Sequence, residues 1–477
     1  MLDGKSAPWG LRWRSSTLFI ISTVGIGLFT DLFLYGLVVP ILPFLLQDRV
    51  GLPDDEVQSY VSGLLAAYAG ASVLFSPPAG VIADRLSTRQ LPFLVGLTAL
   101  LAATIMFAVG QSIPVLIIAR ILQGVSAAVV WTIGLAMVLD TVGPENLGKT
   151  IGSIFGFISI GELLAPVLGG VLYEKAGYGG VFGVGGGILG IDFVMRILLI
   201  EKKTAAKYED ASERSADHNP HPDTEGTQEA EESDPTEEDA LLSKKEDDKP
   251  YEVPPGQPRW IRSFPIAFCL KDPRLLVALL LAFVQATILA SFDATIPTEA
   301  KSLFQFDSLK GSLLFIALVL PYLLLGPVCG WAVDRYGTKP SATIGFGYLV
   351  PALVLLRLPH AGGTGQIALF CVLLALCGLG LAIIGSPSIV ESSFVVQRYD
   401  QVNPEFFGEQ GPYAQLYGIN SMVFSAGLTL GPVLGGTLRD KVGYGNANLA
   451  LAGLCLITSI LSFLYVGGRP RILKRRY

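Results

Sequence analysis

The sequence predicts an all-α membrane protein whose twelve transmembrane helices form two six-helix bundles, related by a parallel pseudo-two-fold repeat. Composition is the first observation: 51% of the 477 residues are hydrophobic and 16% are charged, whereas soluble proteins have about 25% charged residues. The second observation is twelve apolar runs of membrane-spanning length, and the third is a set of motifs that occurs once in each half. Together they exclude a soluble or largely disordered protein.

The apolar runs match the roughly 20 residues that a helix needs to cross a hydrocarbon core of about 30 Å. Lys5, Arg12 and Arg14 precede the first run and no small-residue cleavage site follows it, which indicates a retained helix and not a signal peptide. The runs cover 17–46, 57–79, 91–110, 113–140, 149–173, 180–200, 275–297, 310–332, 341–358, 366–391, 415–438 and 447–467.

A polar segment, 201–274, separates the first six runs from the last six. Within it, 209–248 hold 16 acids against three bases. Such a composition cannot bury enough apolar surface to fold. We therefore predict a disordered acidic linker between an N-terminal bundle, 1–200, and a C-terminal bundle, 275–477. The acids of this linker account for the net charge of −6. The chain has no basic patch that would predict a nucleic-acid partner.

The even number of spans places both termini and the linker on one side of the membrane. Without the linker, that side carries 14 Lys and Arg against 6 on the other. Because cytoplasmic loops are enriched in Lys and Arg, we expect a multi-pass integral membrane protein with cytoplasmic termini and linker. The plasma membrane is favoured over a vacuolar or vesicular one, although Glu237-Glu-Asp-Ala-Leu241-Leu242 resembles an acidic dileucine sorting signal.

Three motifs recur in the second half of the chain in the same direction. Parallel repeats of six helices are the plan of a transporter with its site near the bilayer midplane, between the halves. The pairs are Asp31 before Val39-Pro40 with Asp293 before Ile296-Pro297, Gly80-Val-Ile-Ala-Asp84-Arg85 with Gly330-Trp-Ala-Val-Asp334-Arg335, and Ala165-Pro166-Val-Leu-Gly169-Gly170 with Gly431-Pro432-Val-Leu-Gly435-Gly436.

Together with Arg120-Ile-Leu-Gln123-Gly124, these motifs resemble the major facilitator superfamily across all twelve spans. The fifth span, with Gly161-x-x-x-Ala165-Pro166-x-x-Gly169-Gly170, resembles the signature of the drug:proton antiporter branch. The surroundings of Asp31, Asp293 and Glu391 are similar to helices of vesicular amine transporters, and the acidic linker resembles fungal members. The resemblance implies a transporter that works by alternating access and needs no cofactor.

Asp31 lies near the middle of the first span, and Tyr35 follows one turn later on the same stripe. A carboxylate at this depth can bind a cationic group or exchange a proton, and the resemblance implies that the matching acid of vesicular amine transporters acts in this way. Asp293 is its repeat mate, for which the resemblance implies amine recognition. Its position four residues before Pro297 leaves a place near the outer mouth as the alternative.

Two further acids are candidates for the substrate or proton site. Glu391 corresponds by resemblance to an acid of the tenth helix, or is a wetted cytoplasmic residue, since it ends its span. Glu162, inside the fifth-span motif, is either a second proton carrier or a carboxyl kept neutral by hydrogen bonding. The family's acid in the eleventh helix is replaced by Ser421.

Arg120 lies within the fourth span, where an unpaired charge costs at least about 2.5 to 3.5 kcal/mol, so we expect it to have a partner. The resemblance implies a role in proton coupling, with Gln123 on the same face. The alternative is a structural arginine bonded to backbone carbonyls. Three aromatic residues could stack on a ligand or simply pack: Tyr35, Trp131 and Tyr322.

The duplicated loops predict a cytoplasmic gate, because each places an acid and an arginine where a helix meets the cytoplasm. A plain positive-inside turn would explain one copy but hardly two with the same spacing. The gate residues are Gly80, Asp84, Arg85, Gly330, Asp334 and Arg335. The paired Pro-x-x-Gly-Gly motifs predict hinges, since proline bends a helix and glycine permits close packing. The hinge residues are Pro166, Gly169, Gly170, Pro432, Gly435 and Gly436.

No catalytic or metal chemistry is predicted. The three histidines lie outside the spans, and the five cysteines form no Cys-x-x-Cys pair. Gly143-Pro-Glu-Asn-Leu-Gly148-Lys149-Thr150 matches a phosphate loop, but it joins two membrane helices where a nucleotide site requires a strand. We therefore expect no enzyme activity, no metal and no cofactor.

These features lead us to expect a monomeric, proton-coupled antiporter that exports a small, partly hydrophobic, cationic organic molecule such as a drug, toxin or secondary metabolite. Its partners are the substrate, protons and the lipid bilayer. A vacuolar or vesicular amine/H+ antiporter is the alternative within transport. A non-transporting substrate sensor is the alternative from another class, and it would tolerate loss of Asp31 but not of 209–248.

Overall fold

The computed structural model describes residues 8–86, 88–208, 249–254, 256–258, 261–262, 264–306, 308–408 and 411–467. Most of the predicted linker and the dileucine-like motif at 237–242 lie outside these ranges. Within them the chain is helical without strands, and ten helical stretches are long and apolar enough to cross a bilayer. The predicted all-α membrane class is confirmed.

Twelve helices, α1 to α12, account for the predicted spans in the described part of the chain. Their bounds are Thr17–Val38 (α1), Asp54–Arg85 (α2), Gln90–Val109 (α3), Ile113–Val142 (α4), Leu147–Leu198 (α5 and α6, divided at Gly177), Pro273–Phe304 (α7), Ser308–Tyr336 (α8), Thr338–Leu355 (α9), Thr364–Ile384 continued by Pro387–Val402 (α10), Tyr413–Val442 (α11) and Tyr444–Tyr465 (α12). Shorter helices lie at Leu11–Arg14, Val39–Ile41, Leu42–Leu45, Leu46–Val50, Pro144–Asn146, Lys249–Tyr251, Ile266–Cys269 and Pro404–Phe407.

Helices α5 and α6 form a hairpin without a connecting loop. Gly177 has φ 61° and ψ −158°, a conformation that only glycine adopts readily. Gly169 and Gly185, eight residues to either side, both pack against Leu37 of α1. The chain therefore reverses at Gly177 and returns alongside the same helix.

Each half of the molecule has an apolar core of its own. In the C-terminal half the core includes Phe292, Phe346 and Phe370, and in the N-terminal half it includes Leu97 and Phe107. Hydroxyl groups inside the helices donate to the carbonyl oxygen four residues earlier, as for the hydroxyl of Thr23 on Phe19 and that of Thr287 on Phe283. No unsatisfied hydroxyl is left to face lipid at these positions.

The two halves meet along two helix pairs, α2 with α11 and α5 with α8. We call the end of the bundle where α6 ends and α7 begins the linker end, and the opposite end the far end. The contacts between these helix pairs run from Gly80 and Gly148 at the linker end to Ser72 and Gly156 near the middle. The halves are therefore closed together at the linker end.

Two acidic residues lie beyond these contacts, toward the far end. Asp293, in the middle of α7, is exposed although it is far from either end of the helix, and Glu162 of α5 is partly exposed. The contacts that close the linker end therefore do not cover these two carboxyls.

Candidate functional site between the halves

Asp31 of α1 is buried, with 1% of its surface exposed. Tyr68 Oη of α2 donates a hydrogen bond to Asp31 Oδ2 at 3.4 Å, and Trp131 Nε1 of α4 donates to the same oxygen at 3.3 Å. Asp31 Oδ1 has no hydrogen-bond partner among the described residues. One carboxylate oxygen is thus held by two aromatic donors, and the other is left for a proton or a cationic group.

Aromatic rings lie between Asp31 and the guanidinium group of Arg120 on α4. The Tyr35 and Tyr68 ring centroids lie 4.6 Å apart, and the guanidinium carbon of Arg120 lies 5.3 Å from the Tyr35 ring centroid and 5.0 Å from that of Phe107. Arg120 is fully buried and donates from Nη1 to Gln123 Oε1 at 2.9 Å. Its partners are therefore two rings and an amide.

Glu162 and Asp293 come from opposite halves of the molecule and lie within electrostatic range of each other. Tyr35 is within range of Asp293, and Tyr322 of α8 is within range of Glu162. Two neighbouring carboxylates repel each other when both are ionised, so the pair favours a shared proton or a bound cation. The predicted residues Asp31, Tyr35, Glu162 and Asp293 thus surround one region between the halves.

Glu391 is the predicted site residue that the structure places elsewhere. Its side chain is buried at the linker end of the C-terminal half, where Arg274 of α7 and the Thr338 hydroxyl contact its two carboxylate oxygens. The Gly467 amide also donates to Oε1, at 2.8 Å. These partners satisfy the carboxylate, and no described contact joins it to Asp31.

An equivalent cluster in the N-terminal half explains the position of Glu391. Arg89 Nε donates to Asp140 Oδ2 at 2.7 Å, and Asp140 lies in the repeat position of Glu391. Burial alone would lower the pKa of the Arg89 guanidinium, but Asp140 and Asp84 raise it above its ordinary value. Sequence reasoning overlooked Asp140, although the repeat offset of about 250 residues that links the two loops leads to it.

The two loop acids each cap a helix of the opposite half. Asp84 Oδ1 and Oδ2 accept hydrogen bonds from the amides of Ala414 and Gln415, at 2.9 and 2.8 Å, where α11 begins. Asp334 accepts from the amides of Gly148 and Lys149, both at 2.8 Å, where α5 begins. A carboxylate at a helix N-terminus satisfies orphan amides and opposes the helix dipole.

Asp84 has a basic partner outside the loop motif. Arg89 Nη1 lies 3.2 Å from Asp84 Oδ1, four residues beyond the predicted Arg85. In the second loop, the Arg335 guanidinium carbon lies 5.6 Å from the Trp331 ring centroid. The loop glycines permit the close approach of the halves, because a Cβ at Gly80 would lie 2.4 Å from the Ala414 oxygen and one at Gly330 2.1 Å from the Gly148 oxygen.

The predicted hinge motifs differ in role along their length. A Cβ at Gly169 would lie 2.3 Å from the Leu37 oxygen, and one at Gly435 3.0 Å from Ser291 Cβ, so both glycines pack on a helix of their own half. Gly170 and Gly436 have no such neighbour within 4 Å. Pro166 and Pro432 lie inside α5 and α11, three residues before these packed glycines.

Two helical bundles that close together at one end, with charged and aromatic residues between them, are the plan of a membrane transporter. The chain belongs to the Major Facilitator Superfamily, whose sequence model matches residues 24–402. The resemblance to the major facilitator superfamily is therefore confirmed.

Individual relatives agree with this assignment. The chain is 49% identical over 472 residues, 97% of each protein, to the MFS-type transporter ppzB of Metarhizium rileyi. It is 24% identical over 439 residues to the probable vesicular acetylcholine transporter-B of Danio rerio, covering 91% of this chain and 76% of that one. The crystal structure of the human organic anion transporter MFSD10 matches with a TM-score of 0.62 and 18% identity, over 94% of this chain and 99% of that one, which shows the shared fold alone.

Proposed function

We propose that this transporter is a proton-coupled antiporter that exports a small, partly hydrophobic, cationic organic molecule. The observation that carries the proposal is Asp31, a buried carboxylate with one oxygen held by Tyr68 and Trp131 and the other unpaired. Aromatic rings beside a carboxylate suit an organic cation, because the rings attract positive charge and cover apolar surface.

Competition for the carboxylates gives the mechanism. With the linker end closed, the site is reached from the far side, which the Lys and Arg distribution predicts to be extracytoplasmic. Protons from that side neutralise Asp31 and the Glu162–Asp293 pair, and the cationic substrate leaves. The protonated carrier then opens at the linker end, loses its protons to the cytosol and binds substrate again. Arg120, which stacks on Tyr35, links the proton state of this region to the packing of α4.

Release into an acidic organelle is the second candidate. The similarity to a protein named as a vesicular acetylcholine transporter favours it, and the chemistry at Asp31 would be the same. We favour the plasma membrane and a monomer, with the acidic linker in the cytosol. Imaging of the tagged protein with and without Leu241-Leu242 separates the two membranes.

Uptake into sealed vesicles tests the proposal. A panel of labelled organic cations is offered to vesicles that contain the protein and are acidic inside, for wild type, Asp31→Asn and Glu391→Gln. We expect accumulation in wild type and loss to about background in Asp31→Asn, because the amide neither ionises nor exchanges a proton. Glu391→Gln, at the linker end and away from Asp31, should keep the same cation preference. Accumulation that survives in Asp31→Asn would refute the assignment.

A further inference from the structure

A buried ion pair lies on the linker side of Asp31. Asp192 and Arg196, four residues apart on α6, have no exposed surface. Arg196 Nε donates to Asp192 Oδ1 and Nη2 to Oδ2, both at 2.8 Å. Arg196 Nη1 donates to the Phe93 oxygen at 2.7 Å, and the Phe93 ring centroid lies 3.8 Å from the guanidinium carbon. A bidentate ion pair of this kind fixes the position of the guanidinium group.

Gly27 lets this guanidinium reach α1. A Cβ at Gly27 would lie 2.6 Å from Arg196 Nη2, so a larger residue would displace the charge. Gly27 precedes Asp31 by one helical turn and lies on the same face. The positive charge of Arg196 therefore attracts the Asp31 carboxylate, whereas Asp192 repels it.

The other groups around Asp31 supply hydrogen bonds and rings. Tyr68 of α2 and Trp131 of α4 donate to Oδ2, while Tyr35 on α1 itself stacks on Tyr68. Arg120 faces the Tyr35 and Phe107 rings and bonds to a neighbouring amide. The Asp192–Arg196 pair thus contributes the nearby fixed charges on α6, with the positive member toward α1.

We propose that Arg196 is a positioning residue that supplies the countercharge for Asp31 when neither a proton nor substrate is bound there. Asp192 orients the guanidinium and Gly27 makes room for it. The inference deepens the proposed function, since it explains how the empty carrier tolerates an ionised carboxylate away from water. The pair is neutral as a whole, so the charge at Asp31 remains the one that changes during transport.

The fluorescence of Trp131 provides a test without any substrate, because its indole bonds to Asp31. The other four of the five tryptophans are replaced by Phe. The protein in lipid nanodiscs is then titrated between about pH 4 and pH 9, a range that brackets ordinary and strongly shifted carboxyls. The Asp31→Asn variant should show no transition, which assigns the signal to Asp31.

Two charge variants should then shift the midpoint of the transition in opposite directions. Arg196→Gln leaves a negative neighbour and should raise the midpoint by about one pH unit, whereas Asp192→Asn leaves a positive neighbour and should lower it by about as much. The double variant should return close to the parent, and Arg196→Lys, which keeps the charge, should stay near it. A purely structural pair would lower stability without opposed shifts.

Glycine variants keep the test decisive if a charge variant does not fold. Gly27→Ala displaces the guanidinium and should raise the midpoint, whereas Gly25→Ala, whose Cβ would lie 4.0 Å from Ile154 Cγ1, should not. Shifts of one sign, no shift, or a transition that persists in Asp31→Asn would overturn the proposal. Opposed shifts in a protein whose Asp31→Asn variant still transports cations would instead overturn the proposed function alone.

Discussion

The two surfaces along which the halves meet are sealed at the linker end in the same way but are built differently beyond it. In the glycine seam, between α5 and α8, Gly148, Gly152 and Gly156 face Gly330, Gly326 and the Leu323 backbone. In the serine seam, between α2 and α11, the Ser76 hydroxyl lies 3.2 Å from that of Ser421, and the Ser72 hydroxyl 3.3 Å from that of Ser425.

This difference contrasts two ways of packing helices from opposite halves against each other. A contact between two helix backbones is closely packed, and its attraction is lost as soon as the helices separate, because dispersion falls steeply with distance. Hydroxyl pairs can exchange each other for water with little net change in free energy. We therefore expect the glycine seam to be sensitive to side-chain size along its length. The serine seam should be sensitive where Gly418 packs on the Ser76 carbonyl oxygen and tolerant at its hydroxyl pairs.

The largest expected effect comes from adding one methyl group to the glycine seam. A Cβ at Gly152 would lie 2.3 Å from the Gly326 carbonyl oxygen, so Gly152→Ala prevents the linker end from closing. Overpacking of this kind costs about 1–3 kcal/mol, and transport into acidic vesicles should fall by about tenfold or more. Gly170→Ala, on the same helix but with no neighbour within 4 Å, is the control. Equal rates for the two variants would show that this seam does not close during transport.

An intermediate effect is expected from the capping acids. In Asp84→Asn and Asp334→Asn the capped amides lose a charged acceptor, and a helix cap is worth about 1 kcal/mol. Hydrogen exchange at Ala414 and Gln415, or at Gly148 and Lys149, should accelerate by about fivefold in the matching variant. The Asp84 variant should be the more affected, since it also loses its ion pair with Arg89. Unchanged exchange in both variants would mean that the caps do not hold the halves together.

The smallest effect is expected in the serine seam. Ser76→Ala and Ser421→Ala each remove one partner of a hydrogen bond whose net contribution is about 0.5–1.5 kcal/mol. Thermal unfolding of both single variants and the double variant forms a cycle, in which the double variant should lose less than the sum of the singles. Additive losses would show that the two hydroxyls do not interact, and losses as large as that of Gly152→Ala would abolish the contrast between the seams.

The fold was predictable because its signals are local. Apolar length, the paired loops and the Lys and Arg distribution are each read within one segment, and the twelve helices follow from them. The depth of a residue in a bent helix is not local. Helix α10 bends between Ile384 and Pro387, and Glu391 lies beyond the bend, at the linker end. The sequence left Glu391 as either a site residue or a wetted cytoplasmic one, and the structure shows it at the linker end but buried.

The hydrogen-bond donors to Asp31 could not be predicted from the sequence, for a different reason. Tyr68 and Trp131 lie 37 and 100 residues away in the sequence, and only packing brings their donors to one oxygen. The Asp192–Arg196 pair did leave a signal, since two opposite charges four residues apart inside an apolar run indicate an ion pair along one helix face. The run at 180–200 was treated as a plain span, and this signal was missed.

The exchange of caps between halves also sets an order of assembly during synthesis. The first amides of α5 stay uncapped until Asp334 is synthesised, 186 residues after Gly148. This takes roughly 10 to 40 s at typical elongation rates. Asp84 lacks the helix that it caps for longer, because Ala414 follows it by 330 residues. A nascent chain that has inserted only its first six helices therefore carries an uncapped helix start and an unused acid at its linker end. Closure of that end is a late event of biogenesis, reached only when α8 and α11 have entered the bilayer.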